Sequence, residues 1–530
     1  MNTAHIILRQ PFTRALALVG SIVIVLSSFA NAVRAAASDL DATFGNGGKV
    51  TAEFFNFPES VRAVALQPDG KIVVAGSRLS TPPPQTFQDV ALGRFNPDGS
   101  PDTSFGSGGF VAINLSSGSD EAYAVGLQSD GKIVVGGYGQ NSMGKPLSLL
   151  ARFTADGQRD TSFTIRRGVD FSAIYAIAIL PDDKIVALTY VEQGSVVPRG
   201  FLLSRYNPDG SFDTSFNGNG LVSIPFTLGY RAAALAVQPD GRIIIGGGSP
   251  FTLLRYNANG TPDSGFGNGG VATANFPAAF SSITALALQS DGRIVGAGLT
   301  GASANGPFDF ALARFNSDGA LDQTFSGDGK VVTDFFGDDD AARALVIQPD
   351  GQLIAVGYAR RAGNYDFALA RYNVDGSLDA GFGTGGKATT DFNGGNDKAY
   401  AAALDADGKL VAAGNTAGAI IQGALARYQG SSSSFDLCLQ DEKKGNILKI
   451  NSETGEYLFI NCGGVMLGGT GTLARQGNHF TLQHNTADRN VQANIFIDTG
   501  KANATIKIVG GGPAYTINDK DITNNSGTCP

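Results

Sequence analysis

The 530-residue chain has no tryptophan, three cysteines and three histidines, and each shortage removes a class of chemistry. With the first 37 residues set aside, only His479 and His484 remain, so the body of the chain holds neither a Ser-His-Asp triad nor a histidine-ligated metal. Their odd spacing on one predicted strand points the two imidazoles to opposite faces. Charged residues make up only 16%, and glutamate occurs only at 53, 59, 121, 192, 442, 453 and 456. Basic clusters are missing and the net charge is -8, which argues against a nucleic-acid or anionic-membrane partner. Glycine runs at 246–248 and 510–512 lack a phosphate-loop lysine and carry no nucleotide signal. No cofactor is expected.

What is abundant is glycine, 72 residues of it, together with aspartate. Both serve tight turns, whereas Glu and Lys serve exposed helices, so the balance predicts many short strands and little helix. Residues 1–37 have the pattern of an export signal: Arg9 and Arg14, an apolar stretch from Ala15 to Phe29, then small residues at 30–32 or 35–37. The apolar stretch is shorter than the roughly 20 residues a spanning helix needs. The reading is therefore cleavage, a secreted or cell-envelope location, and no transmembrane segment in the mature chain.

Three strings recur in order through residues 38–430, seven times each. The first is Asp-x-x-Phe before a glycine-rich turn and a strand, with its ring at Phe44, Phe105, Phe163, Phe216, Phe266, Phe325 and Phe382. The second is a hairpin such as AVALQPDGKIVVAG, with turn acids Asp69, Asp130, Asp183, Asp240, Asp291, Asp350 and Asp407. Its Pro presets the turn, its Asp accepts backbone hydrogen bonds, and its Gly takes positive φ. The third is a strand ending in arginine and an aromatic, as in FALARY, with Arg94, Arg152, Arg205, Arg255, Arg314, Arg371 and Arg427. Four strands per unit follow, termed A, B, C and D. Small four-stranded sheets repeated in this way bury both faces only against neighbours, which predicts an all-β, seven-bladed β-propeller.

The chain enters this array on a D strand and leaves it after an A-B-C set, so residues 49 to 54 would complete the last blade and leave no open edge. Charge pairing carries the same prediction. Six arginines are each followed by the Asp of the next Asp-x-x-Phe, from Arg94 and Asp102 through Arg371 and Asp379. Arg427 has no downstream Asp and Asp41 no upstream Arg, and a closed ring reunites them.

The strings QPDGKIVVAG, ALARYN and DGSLDTSFG-like copies resemble the delta-60 repeat family of exported bacterial proteins, over about residues 39–430. The resemblance implies a propeller fold and an envelope or extracellular setting, and no particular reaction. The third hairpin departs most, with Asp182-Asp183 where others have Asp-Gly and Phe163-Thr164-Ile165 in place of a glycine-rich turn, which predicts an irregular blade.

Residues 431–434 form a serine linker, and residues 435–530 read as a small all-β domain, a sandwich or barrel. It holds Cys438, Cys462 and Cys529. Export implies one disulfide and one thiol left over. In a meander Cys438 and Cys462 would sit on strands one and three, roughly 10 Å apart, which favours Cys529 as one partner; three buried thiols are the alternative.

The C-D turn offers oxygen ligands at Asn96, Asp98 and Asp102, and again at Asn373, Asp375 and Asp379, but lacks the further ligands of a calcium loop. A capped hairpin turn is the expectation and no metal site is assigned. Asp338-Asp339-Asp340 breaks the repeat and reads as a solvated loop. Connections B-C and D-A vary while A-B and C-D do not, which marks the variable face as the one that meets a partner, protein or glycan. Phe87, Arg199, Arg360, Arg361 and Tyr365 are its candidate contacts, being of residue types enriched at interfaces. The sequence leaves oligomeric state open. The favoured function is non-catalytic binding or scaffolding; the rival is a hydrolase or lyase with an aspartate-based site in the central funnel.

Overall fold

The computed structural model describes residues 38–52, 59–80, 87–163, 166–192, 199–225, 234–418 and 420–430, and nine strands between residues 437 and 518. Every element among them is a strand or a turn. Seven four-stranded antiparallel sheets follow one another from residue 49 to 428, each in the order A-B-C-D. Blade 1 is typical: A is Glu59–Leu66, B is Ile72–Leu79, C is Gln88–Phe95 and D is Phe110–Ile113. The A strands pack against one another around the ring, including that of blade 1 against Asn396–Leu404 of blade 7, so they are the innermost strands.

Blade 7 takes its A, B and C strands from Asn396–Leu404, Leu410–Ala417 and Ile421–Tyr428. Its D strand is Lys49–Ala52, paired so that Lys49 faces Ala426 and Ala52 faces Gly423. The ring is closed by the two ends of the array, as the order of the strings predicts.

Why these strands pack on both faces is evident in their letters. The B strands are short runs of Val, Ile, Ala and Gly with almost every position buried, such as Ile133–Gln140. Core clusters span neighbouring blades; Val73 and Ala75 of blade 1 pack with Ile133 and Val135 of blade 2 around Phe105. The seven Asp-x-x-Phe rings are all buried. Each contributes roughly 1.5–3 kcal/mol of apolar burial.

All seven arginine–aspartate pairs form, at Arg94 with Asp102 (2.7 Å), Arg152 with Asp160 (2.9 Å), Arg205 with Asp213 (2.8 Å) and Arg255 with Asp263 (2.8 Å). Arg314 pairs with Asp322 at 2.7 Å, Arg371 with Asp379 at 2.8 Å and Arg427 with Asp41 at 2.8 Å. Each guanidinium also lies over the ring of its own Asp-x-x-Phe, 4.3–4.8 Å from the centroid. Six of the seven extend Nη1 to a backbone carbonyl in the C-D turn of the following blade: Ala155, Pro208, Ala258, Ser317, Val374 and Pro97. Arg371 does not, and the matching position for it is near Gly430, where the chain leaves the ring. A planar fork with five donors suits this three-way task, which a lysine cannot perform.

The departure at the third hairpin is absorbed locally. The turn acid of this hairpin is Asp182 rather than Asp183: it accepts from the Lys184 amide, while Asp183 takes φ +62°, the left-handed conformation that glycine supplies elsewhere, and its carboxylate accepts from Ser129 in blade 2. The irregularity appears instead in the outer strand of blade 2, Arg166–Asp170, whose register against strand C slips between Leu147 and Leu149.

The tail contains a four-stranded sheet, from Leu437–Gln440 to Met466–Thr470, and a five-stranded one, from Thr472–Gln476 to Tyr515–Asn518. His479 and His484 share one strand, His479–Asn485. Cys462, Cys529, the serine linker and residues 1–37 lie outside the described residues, so the disulfide and export expectations have no structural counterpart.

Candidate functional site: a tyrosine and cation belt on the variable face

Connections B-C and D-A open on the face where the A strands begin. In each of the six blades whose A strand is described along its full length, that strand bulges near its start, and one residue stands out of register. The bulged residues are Arg62, Tyr123, Tyr175, Thr284, Arg343 and Tyr400, all half-buried. A bulge re-aims the side chain it carries. Because the A strands are innermost, each of these six blades delivers one polar side chain, large in all but Thr284, to the wall around the central axis.

These side chains form a belt across the junctions of blades 7, 1, 2 and 3, and again across that of blades 6 and 7. The Arg62 guanidinium lies 4.7 Å from the centroid of Tyr400 and its Nε is 2.9 Å from Glu121. Tyr123 stacks on Tyr175 at 5.2 Å with 11° between the rings, and Tyr138 and Tyr190 extend the aromatic run. Farther round, Arg343 Nη2 donates to the Tyr358 hydroxyl at 2.7 Å. Lys398 Nζ sits 4.4 Å from the Tyr358 centroid and 3.6 Å from that of Tyr365. Burial pushes the phenols of Tyr123, Tyr138 and Tyr400 up, so they are neutral donors at physiological pH. Burial likewise pushes the Lys398 ammonium down, opposed by Asp339.

Arg199, Arg360 and Tyr365, three of the five residues marked on the variable loops, touch this belt; Arg361 and Phe87 do not. Arg360 and Tyr365 face each other across the B-C hairpin of blade 6, and Arg361 faces Asn364. Arg360 pairs with Asp338 at 3.7 Å, Arg361 lies over Phe336, and the Tyr365 hydroxyl donates to Asp339 at 2.9 Å. Burial and that carboxylate push Tyr365 up to about 12. Phe87 is exposed at the B-C connection of blade 1, and Arg199 is exposed in blade 3 with Nε 3.3 Å from the Tyr190 hydroxyl. The bulged residues themselves went unmarked in the sequence, although each is visible there as a polar letter interrupting an apolar run, as in ESVRAVAL and SAIYAIAI.

The C-D turns lie on the other face, and their oxygens are engaged within the hairpins. Asp98 Oδ1 accepts from the Ser100 amide and hydroxyl, and the Asn96 side-chain amide donates to Ser100. Asp102 accepts from Ser104 and from Arg94. Asn373, Asp375 and Asp379 repeat the arrangement with Ser377 and Arg371. The Asp338–Asp340 run is not the solvated loop expected: Asp340 is fully buried at the first position of strand A, and Asp339 holds Tyr365 and the Phe308 amide.

The chain is a β-propeller repeat protein. A family model described as a β-propeller domain of unknown function, DUF5122, matches residues 67–105, 128–163, 180–216, 238–266, 289–325 and 348–382. Each match runs from an A-B turn to an Asp-x-x-Phe ring, and the seventh such unit is the one split between the ends of the array. No curated protein matches the sequence significantly. Among solved structures, a catalytically inactive virginiamycin B lyase from Staphylococcus aureus with quinupristin is 11% identical, with a TM-score of 0.43, covering 71% of this chain and 98% of its own. An uncharacterised protein from Listeria monocytogenes is 10% identical with a TM-score of 0.34, covering 79% and 97%. A GH43_1 enzyme from Xanthomonas citri complexed with xylotriose is 9% identical with a TM-score of 0.28, covering 52% and 93%. Nothing about ligand or reaction follows from likenesses this distant.

Proposed function

We propose that this is a non-catalytic binding or scaffold protein of the cell envelope or exterior, and that it takes a glycan against the belt on its variable face. The observation that carries the reading is the ring of bulged residues, which puts tyrosines and cations side by side around the mouth of the channel. Tyrosine offers a flat apolar face with a polar rim, and arginine a planar fork for hydroxyl and carboxylate oxygens, which are the two contacts a sugar ring presents. The aspartate-based hydrolase is less well supported, because the acids at the belt are already engaged, Glu121 by Arg62, Asp338 by Arg360 and Asp339 by the Tyr365 hydroxyl. Membership of the delta-60 repeat proteins, export through the 1–37 signal and a disulfide in the tail belong to the same proposal, and rest on the sequence strings alone.

A glycan array probed with the full chain tests it. We expect retention of one class of oligosaccharide, and a loss of about tenfold in affinity for Tyr123→Ala or Tyr175→Ala. Absence of any retained glycan, or equal binding by both variants, removes the reading.

A further inference from the structure

Two blade junctions each hold three aspartates whose carboxylate oxygens lie within 4.8 Å of one another: Asp309, Asp334 and Asp340 between blades 5 and 6, and Asp366, Asp391 and Asp397 between blades 6 and 7. Each triad is assembled the same way. One acid comes from the start of strand C, one from the residue after strand D, and one from the start of strand A of the next blade. We propose that each triad is a binding site for a hard divalent cation, Ca²⁺ in first place, which staples adjacent blades on the variable face.

The burial of the third acid carries this beyond a cluster of like charges. Asp340 and Asp397 are both 0% exposed. In each, Oδ2 accepts a backbone amide, from Phe335 and Phe392 at 2.7 Å, and Oδ1 is buried without a hydrogen bond. A buried carboxylate oxygen left unpaired is costly, and two further carboxylates beside it add repulsion. Oxygen ligands of this kind at one point are what Ca²⁺ takes, with carbonyls or water completing its six to eight.

Other junctions of the same ring serve as internal comparisons. Between blades 1 and 2 the equivalent positions are Asp89, Asn114 and Asp120, so one acid is already an amide; the two carboxylates left there are buried, each with Oδ1 unbonded, and Arg78 stands near Asp89 as a counter-charge. Between blades 5 and 6 all three positions are acids, with Asp309 and Asp334 beside the fully buried Asp340. Where the strand A acid is a serine, at Ser172 and Ser281, its hydroxyl simply accepts a strand C amide of the preceding blade, from Ser148 and Phe251. The strand C positions there are Leu147 and Pro250. A neutral residue thus suffices to hold a junction, and the full set of three acids stands only at the two junctions on either side of blade 6 among those described.

The full chain, stripped with a chelator and dialysed, is titrated with CaCl₂ at pH 7.5 by calorimetry, and its melting temperature is followed in parallel. We expect two sites per chain and a rise in melting temperature, with both lost in the double variant Asp334→Asn, Asp391→Asn. Those two acids are exposed and each accepts a nearby glycine amide, which asparagine also does, so the variant is expected to fold. Each single substitution leaves one site. The proposal fails if Ca²⁺ gives neither heat nor a thermal shift, which would leave a shared proton as the triads' means of relief. It fails equally if the double variant responds like the parent, which would move binding elsewhere, to the C-D turns for example.

Discussion

Asp41 is the carboxylate that ties the two ends of the array together. Its Oδ2 accepts from Arg427 at 2.8 Å and Lys409 at 2.7 Å, its Oδ1 from the Thr43 amide and hydroxyl, and it is almost wholly buried. Burial alone would raise its carboxyl, but Lys409, Thr43 and Arg427 hold it well below the usual range. A depressed native pKa contributes stability that is complete above the unfolded value, near 4, and is lost as pH falls through the native one. Asp41→Asn leaves two cations facing a neutral amide. It is expected to cost about 3–5 kcal/mol at pH 7. It should also flatten the decline in stability below pH 4, both read from urea titrations of parent and variant across that range.

Among elements, the bulged A strand depends on what stands opposite it. In five blades the facing residue on strand B is a glycine: Gly76, Gly137, Gly298, Gly357 and Gly414. A Cβ on any of them would come within 1.7–2.0 Å of a strand A carbonyl. Gly357→Ala would set its methyl 1.9 Å from the Ala341 oxygen, just before the register shift that turns Arg343 inward. The expected cost is about 1–3 kcal/mol, and the hydrogen bond from Arg343 to the Tyr358 hydroxyl should break as the strand moves. Thermal unfolding and the Tyr358 environment by NMR check the two parts. The turns, the strands and the arginine pairs were legible in the sequence, since each is a local string copied seven times. The bulges and the acid triads were not. A bulge is a property of register between two strands, and a triad joins three positions that only the neighbouring blade brings together, although the six-residue step from Asp334 to Asp340 and from Asp391 to Asp397 stood in plain sight.

At the scale of the whole molecule, Lys49–Ala52 is the element that turns an array into a ring. Deleting residues 38–52 would bare Ile421–Tyr428 as an open sheet edge and remove Asp41 and Phe44 from the last junction. We expect a lower melting temperature and self-association, visible by light scattering on a size-exclusion column, where the parent gives one species. The join also has a cost in time. Its two partners are separated by 386 positions along the chain, and bringing such distant residues together loses on the order of 5 kcal/mol of chain entropy. Blades 1 to 6 each form from contiguous chain, while blade 7 waits for a search across the full length of the array. Opening is governed by different terms: the Lys49–Ala52 ladder and the Arg427 and Lys409 contacts to Asp41 must break together, so the seam that closes last is also the latch on every blade before it.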